Sequence, residues 1–96
     1  MIRHTVVFRL KWRADSPEEQ AFFRAAQNLA ALPNVQRFET LRQISRKNNF
    51  SFGFSMEFRD EAAYESYTNH PVHQAFLCEQ WTPNVAEFME IDYIPA

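Results

Sequence analysis

Phe50-Ser51-Phe52-Gly53-Phe54-Ser55-Met56-Glu57-Phe58 is the stretch on which the fold turns. Large apolar residues alternate with small or charged ones. A period of two belongs to a strand, because successive side chains point to opposite faces of a pleated chain. Phe50, Phe52, Phe54, Met56 and Phe58 then line a covered face, and Ser51, Gly53, Ser55 and Glu57 the other. Five such side chains on one strand require further strands beside it and helices over it.

Those partners follow on both sides. Residues 2–11 alternate in the same way, with Ile2, His4, Val6, Phe8 and Leu10 on one face and Arg3, Thr5, Val7, Arg9 and Lys11 on the other. Residues 35–44 form a second strand of poorer parity. Val35, Phe38 and Leu41 are three apart, which predicts a bulge. Arg46-Lys47-Asn48-Asn49 is a polar turn into the aromatic strand. Residues 85–94 form a last strand, with Ala86, Phe88, Glu90, Asp92 and Ile94 opposite Val85, Glu87, Met89, Ile91 and Tyr93.

Helices fill the gaps. Ser16 suits an N-cap, Pro17 the first helical position and Glu19 the reciprocal capping partner. The pattern predicts a helix over 17–31 that buries Phe22 or Phe23, Ala26, Leu29 and Ala30 and stops before Pro33. Asp60 caps a helix running to about Asn69. Pro71 takes His70 out of the helical region and opens a new helix over 71–80. That helix places His73, Phe76, Leu77 and Gln80 or Trp81 along one side and ends at Pro83.

The order strand, helix, strand, strand, helix, strand in a single domain of 96 residues is the ferredoxin-like β-α-β-β-α-β sandwich, an α+β fold with a four-stranded antiparallel sheet. Its helices cover one sheet face. The open face carries Thr5, Val7, Val85, Met89, Ile91 and Tyr93 among Arg3, Arg9, Glu57 and Glu87. An apolar stripe with both charge signs is self-complementary, so a homodimer through this face is expected.

Composition narrows the function. Hydrophobic residues make up 46 % of the chain and charged residues 23 %, as in ordinary globular domains. Ten phenylalanines demand an aromatic core or a partner. A formal charge of −2 leaves no basic excess for nucleic acid. No apolar run approaches the roughly 20 residues of a membrane span. The opening Met-Ile-Arg-His-Thr-Val lacks a signal pattern, and Cys78, the single cysteine, fits a reducing compartment as a buried helix residue; the expectation is a cytoplasmic protein. One glycine rules out a Gly-rich phosphate loop or a nucleophile elbow. His70 and His73 are three apart, but Pro71 breaks the register between them and no cysteine or acid lies close by, so neither a metal nor another cofactor is expected.

Tyr67-Thr-Asn-His70-Pro71-Val-His73 concentrates the chemistry. Imidazole titrates nearest neutral pH, and a histidine–tyrosine cluster is equipped for proton transfer. His73 falls near the start of a helix, whose positive end disfavours imidazolium and leaves a neutral base. Tyr67 is placed to hydrogen-bond a developing oxyanion. His4 lies on the covered face of the first strand. The first and last strands neighbour each other in this fold, which brings His4 within reach of Asp92 or Glu90. Each residue also has a plainer reading: His4 as a satisfied core histidine, His70 as a cap, Tyr67 as a buried ring with an exposed hydroxyl.

His4-Thr5-Val6-Val7-Phe8-Arg9-Leu10-Lys11, the Tyr67–His73 string and Ile91-Asp92-Tyr93 together resemble the Dabb family, the stress-responsive dimeric α/β-barrel domains, over nearly the whole chain. The resemblance implies a homodimer whose sheets pack face to face into a barrel, and a pocket between sheet and helices in each subunit. Most members have no assigned reaction. One branch, similar to olivetolic acid cyclase, closes linear polyketides by aldol chemistry; the roles of base and assisting tyrosine there would fall on His73 and Tyr67.

Two readings follow. In one, the chain holds a small apolar or aromatic ligand and acts as a cyclase- or lyase-type enzyme. His73 is then the proton acceptor and Tyr67 the hydrogen-bond donor, with His4, Val6, Phe8, Phe23, Phe54, Phe76 and Asp92 around the ligand. In the other, it is a non-catalytic stress-associated dimer whose same residues form a buried network. Phe8, Phe50, Phe52, Phe54, Phe58 and Phe88 share the covered face and tend to fill any cavity. A solvent-reached cavity the size of a small aromatic ring that touches His73 and Tyr67 favours the first reading; a solid aromatic core with His73 Nε2 bonded to backbone favours the second.

Overall fold

The computed structural model describes all 96 residues. Strands β1 (Ile2–Leu10), β2 (Gln36–Arg42), β3 (Phe52–Phe58) and β4 (Val85–Tyr93) form one antiparallel sheet in the order β2-β3-β1-β4. Helices α1 (Pro17–Ala26), α2 (Glu61–Thr68) and α3 (Pro71–Phe76) cover one face, and no helix is long and apolar enough to cross a membrane. The ferredoxin-like expectation holds.

Local chemistry sets the helix ends. Ser16 Oγ accepts the Glu19 N–H at 3.2 Å and Asp60 accepts the Ala63 N–H at 2.9 Å, each relieving an orphan donor of a first turn. The reciprocal half of the box at Ser16 does not form, because the Ser16 N–H goes to the Arg13 carbonyl. A 3-10 segment, Gln27–Ala31, extends α1; it buries Leu29 but leaves Ala30 exposed, against expectation, because the tighter helix rotates Ala30 off the core face.

The bulge expected in the second strand is present. The β2–β3 register shifts between Gln36 and Glu39, and Arg37 adopts φ 52°. A second irregularity, between Arg9 and Leu10, pairs Arg9 with Glu87 but Leu10 with Val85. Ala86 is the extra residue, so Val85 turns to the helix side and packs against the core instead of joining the open face.

Pro83 does not end the third helix. After α3 the chain makes a π turn, Leu77–Trp81, in which the Thr82 N–H reaches the Leu77 carbonyl, and it stays helical to Asn84. A proline ring clashes with the carbonyl four residues back in an α-helix, and the wider turn accommodates it. Asn84 then fastens this end to the end of β1: its carbonyl accepts the Lys11 N–H at 2.9 Å, and its side chain accepts the Trp12 indole N–H at 2.7 Å. Cys78 lies exposed on this segment, not buried as expected, because the π turn buries none of its residues.

The core is aromatic. Phe8, Phe22, Phe58, Leu29 and Met56 are its largest fully buried side chains. The open sheet face bears Val7, Ile91, Met89 and Tyr93, with Arg3 3.4 Å from Glu57 and Arg9 3.9 Å from Glu87.

Candidate functional site

The break at Pro71 builds the site. In an unbroken helix the Thr68 carbonyl would accept the Val72 N–H. Here that N–H goes to His70 Nδ1 at 3.1 Å, so His70 is the N-cap of α3. The freed Thr68 carbonyl accepts from His73 Nδ1 at 2.9 Å and from Gln74 at 2.7 Å. A carbonyl only accepts, so the His73 proton sits on Nδ1 and the Nε2 lone pair is left unbonded. Burial, the largest influence, holds the His73 pKa below its ordinary 6.5, outweighing the Thr68 hydrogen bond. His73 is therefore a neutral base at neutral pH.

Tyr67 stands beside it on α2, with ring centroids 4.4 Å apart. The ring is buried against Phe58. Its hydroxyl has no hydrogen-bond partner in the protein, yet no fully buried polar side-chain atom is left unpaired; the hydroxyl therefore meets open space. Burial first, and the Glu90 carboxylate second, push its pKa far above the ordinary 10, so it remains a proton donor.

His4 is held from behind. Its Nδ1 is 2.6 Å from Asp92 Oδ1, across the β1–β4 pairing that sets His4 opposite Asp92. The Tyr64 hydroxyl donates to Asp92 Oδ2 at 2.9 Å and lies 2.8 Å from His4 Nδ1. Burial, then the Asp92 carboxylate, keep Tyr64 protonated. With Nδ1 engaged, His4 Nε2 has no partner in the protein.

His4, Tyr67 and His73 border one cavity of about 320 Å³ between the sheet and the helices. Its floor is Val6, Phe54, Met56, Phe88 and Glu90 from the sheet; its roof and walls are Leu29, Phe76, Leu77, Trp81 and Thr82. Apolar walls with a few convergent polar groups are the usual make-up of a small-molecule site. No three His, Cys, Asp or Glu side chains are grouped as a metal site.

Of the residues named from sequence, the structure brings His73, Tyr67, His4, Val6, Phe54 and Phe76 to the cavity. Phe8 and Phe23 do not reach it. Phe8 is wholly buried between Phe22, Phe54 and Trp81, and Phe23 lies over Phe52 at a separate indentation toward β2. Asp92 stands behind His4 and does not line the cavity. Tyr64 was missed. Its signal was there: it sits three residues before Tyr67, on the same helix face, as the nearest hydroxyl to a strand histidine and acid in need of a partner.

A ferredoxin-like sandwich with a histidine–tyrosine cavity between sheet and helices is the class of molecule so defined. The model of the stress responsive A/B barrel domain family, Dabb, matches residues 2–95, and the chain belongs to this family. A Dabb family protein with a ferredoxin-like fold from Mesorhizobium loti is 53 % identical over 99 % of this chain and 96 % of its own, with a TM-score of 0.97. A dimeric ferredoxin-like protein of unknown function from Thermobifida fusca is 22 % identical, covers 98 % of this chain and 90 % of its own, and has a TM-score of 0.81. The hydroxynitrile lyase of Passiflora edulis shares the fold at 17 % identity, with coverages of 99 % and 93 % and a TM-score of 0.85. No curated protein matches the chain.

Proposed function

We propose that this Dabb domain is a homodimeric small-ligand enzyme that makes or breaks a carbon–carbon bond beside a carbonyl, by proton transfer through His73. One observation carries the reading. His73, Tyr67 and His4 border a single apolar cavity, and His73 Nε2, the Tyr67 hydroxyl and His4 Nε2 have no protein partners. In the cleavage direction His73 Nε2 takes the proton of a substrate hydroxyl, the carbon–carbon bond breaks as the carbonyl forms, and the bonding pair leaves with the other carbon fragment as an enolate or cyanide anion, which takes the proton back from the His73 imidazolium. Tyr67 hydrogen-bonds the oxygen while it carries negative charge. Asp92 and Tyr64 orient His4 as the second polar wall. The bond change is that of a lyase or a retro-aldol step, and the Passiflora edulis neighbour is named a hydroxynitrile lyase. The polyketide-cyclase chemistry implied by the family resemblance is the same step in the forming direction, and a cavity of about 320 Å³ suits a short chain for it.

Pairing through the open sheet face is supported by the dimeric neighbours and by the apolar Val7, Met89, Ile91 and Tyr93 there. A non-catalytic stress-associated dimer is the second reading, favoured by the mutual bonding of His4, Asp92 and Tyr64. The exposed Cys78 fits a cytoplasmic setting for either.

The test is aldehyde release from a panel of small aromatic cyanohydrins and β-hydroxy ketones. Wild-type release well above that of His73→Ala supports the enzyme. Equal rates in the two proteins, or none from either, leave the non-catalytic dimer.

A further inference from the structure

The cavity carries one formal charge that proton transfer at His73 does not use. None of its lining residues is Lys or Arg, and Glu90 is the only acid among them. Glu90 sits on β4 opposite Val6, on the face that otherwise meets helices, and it belongs to no ion pair. Its side chain is solvent-exposed, so the carboxylate stands hydrated at the cavity's opening, where a cation carried by a ligand can reach it.

Glu90 also bears on the reaction. An unneutralised carboxylate beside a developing oxyanion opposes that charge. A substrate that brings its own positive charge removes the conflict. Trp81 and Phe88 meet edge to face at 5.5 Å and 77° on the same cavity lining, and Phe88 is 51 % exposed. Aromatic faces attract ammonium groups, and more so beside a carboxylate.

We propose that the cavity's ligand is a small aromatic or branched apolar carbonyl compound bearing an ammonium group, with Glu90 and the Trp81–Phe88 corner receiving the cation. The carbonyl end of this ligand rests on the function proposed above; the ammonium end rests on the cavity's charge and aromatic lining alone. Carboxylates and phosphate esters bind less well, because no Lys or Arg lines the cavity and Glu90 repels them.

Three matched probes test the proposal on the full chain, with amide NMR shifts of cavity residues as the readout: benzylammonium, benzyl alcohol and benzoate at pH 7.5. Benzylammonium binds about fivefold tighter than benzyl alcohol, and benzoate is weaker than both, as a partly solvated charge pair dictates. Glu90→Gln levels the ammonium and alcohol probes, and added salt narrows their gap in the wild type only. Benzoate binding as well as benzylammonium, a ratio unmoved by Glu90→Gln, or no cavity shift with any probe each overturns the proposal. The two readings fail separately. Ranking by charge persists in His73→Ala if only the reaction is wrong, and aldehyde release persists without such ranking if only the cation assignment is wrong.

Discussion

The helix-covered side of the sheet is finished differently at its two ends. Toward Phe8 and Phe52, α1 lays Phe22 and Phe23 onto the strands, and Phe8 stands within 4.8 to 6.2 Å, ring centroid to ring centroid, of five aromatic neighbours. Toward His4 and Met56, α2 and α3 cover the same face, and a cavity of about 320 Å³ remains beneath them. Large flat side chains in register close one end. At the other, the Pro71 break offsets two short helices, and His4, Val6 and Glu90 are too small or too polar to fill the gap. The difference teaches that a phenylalanine-rich chain need not have a solid interior: packing density is set by which side chains share a layer, not by how many are aromatic.

The first way to break this contrast is at the packed end. Phe8→Ala should cost about 3–5 kcal/mol in urea unfolding, because the ring is wholly enclosed; a cost under about 1 kcal/mol would mean that this end is not packed as described. His73→Ala should do the reverse, lowering aldehyde release by about a thousandfold while stability stays within about 1 kcal/mol. A much larger stability loss would make His73 a structural residue. Tyr67→Phe, which removes one oxyanion donor and keeps the ring, should slow the reaction about a hundredfold with little change in probe binding. Ser16→Ala should cost about 1 kcal/mol by uncapping α1, with cavity binding unchanged.

The smallest effect is in pH. The His73 pKa is lower folded than unfolded, so between the two values the unfolded chain binds more protons. Its contribution is complete above 6.5, declines as pH falls through 6.5, and levels off below the folded value. Unfolding curves of wild type and His73→Ala should converge in pH dependence above 6.5 and part below it. The acid limb of activity should likewise centre below 6.5.

Much of this is legible in the amino-acid sequence. The two-residue period of Phe50–Phe58 and of Ile2–Leu10, the caps at Ser16 and Asp60, and the Pro71 break all act within a few residues, where backbone sterics and local hydrogen bonds decide. The errors lie where distant elements decide. Val85 changed face because one residue bulges between β1 and β4. Pro83 stayed inside a helix because a π turn precedes it. Phe8 and Phe23 miss the cavity because strand parity and helix periodicity tell which face a residue takes, not where along that face the packing closes.

By itself the chain determined the order of its elements, the covered face of each strand and the short list of groups able to move a proton. Only the tertiary structure decided that His4, Tyr67 and His73 border one cavity, that Asp92 and Tyr64 stand behind His4, and that Glu90 faces the same space without a partner. Periodicity is written in neighbouring residues. The convergence of side chains up to 88 positions apart is set by sheet register and helix offset, which only the assembled fold contains.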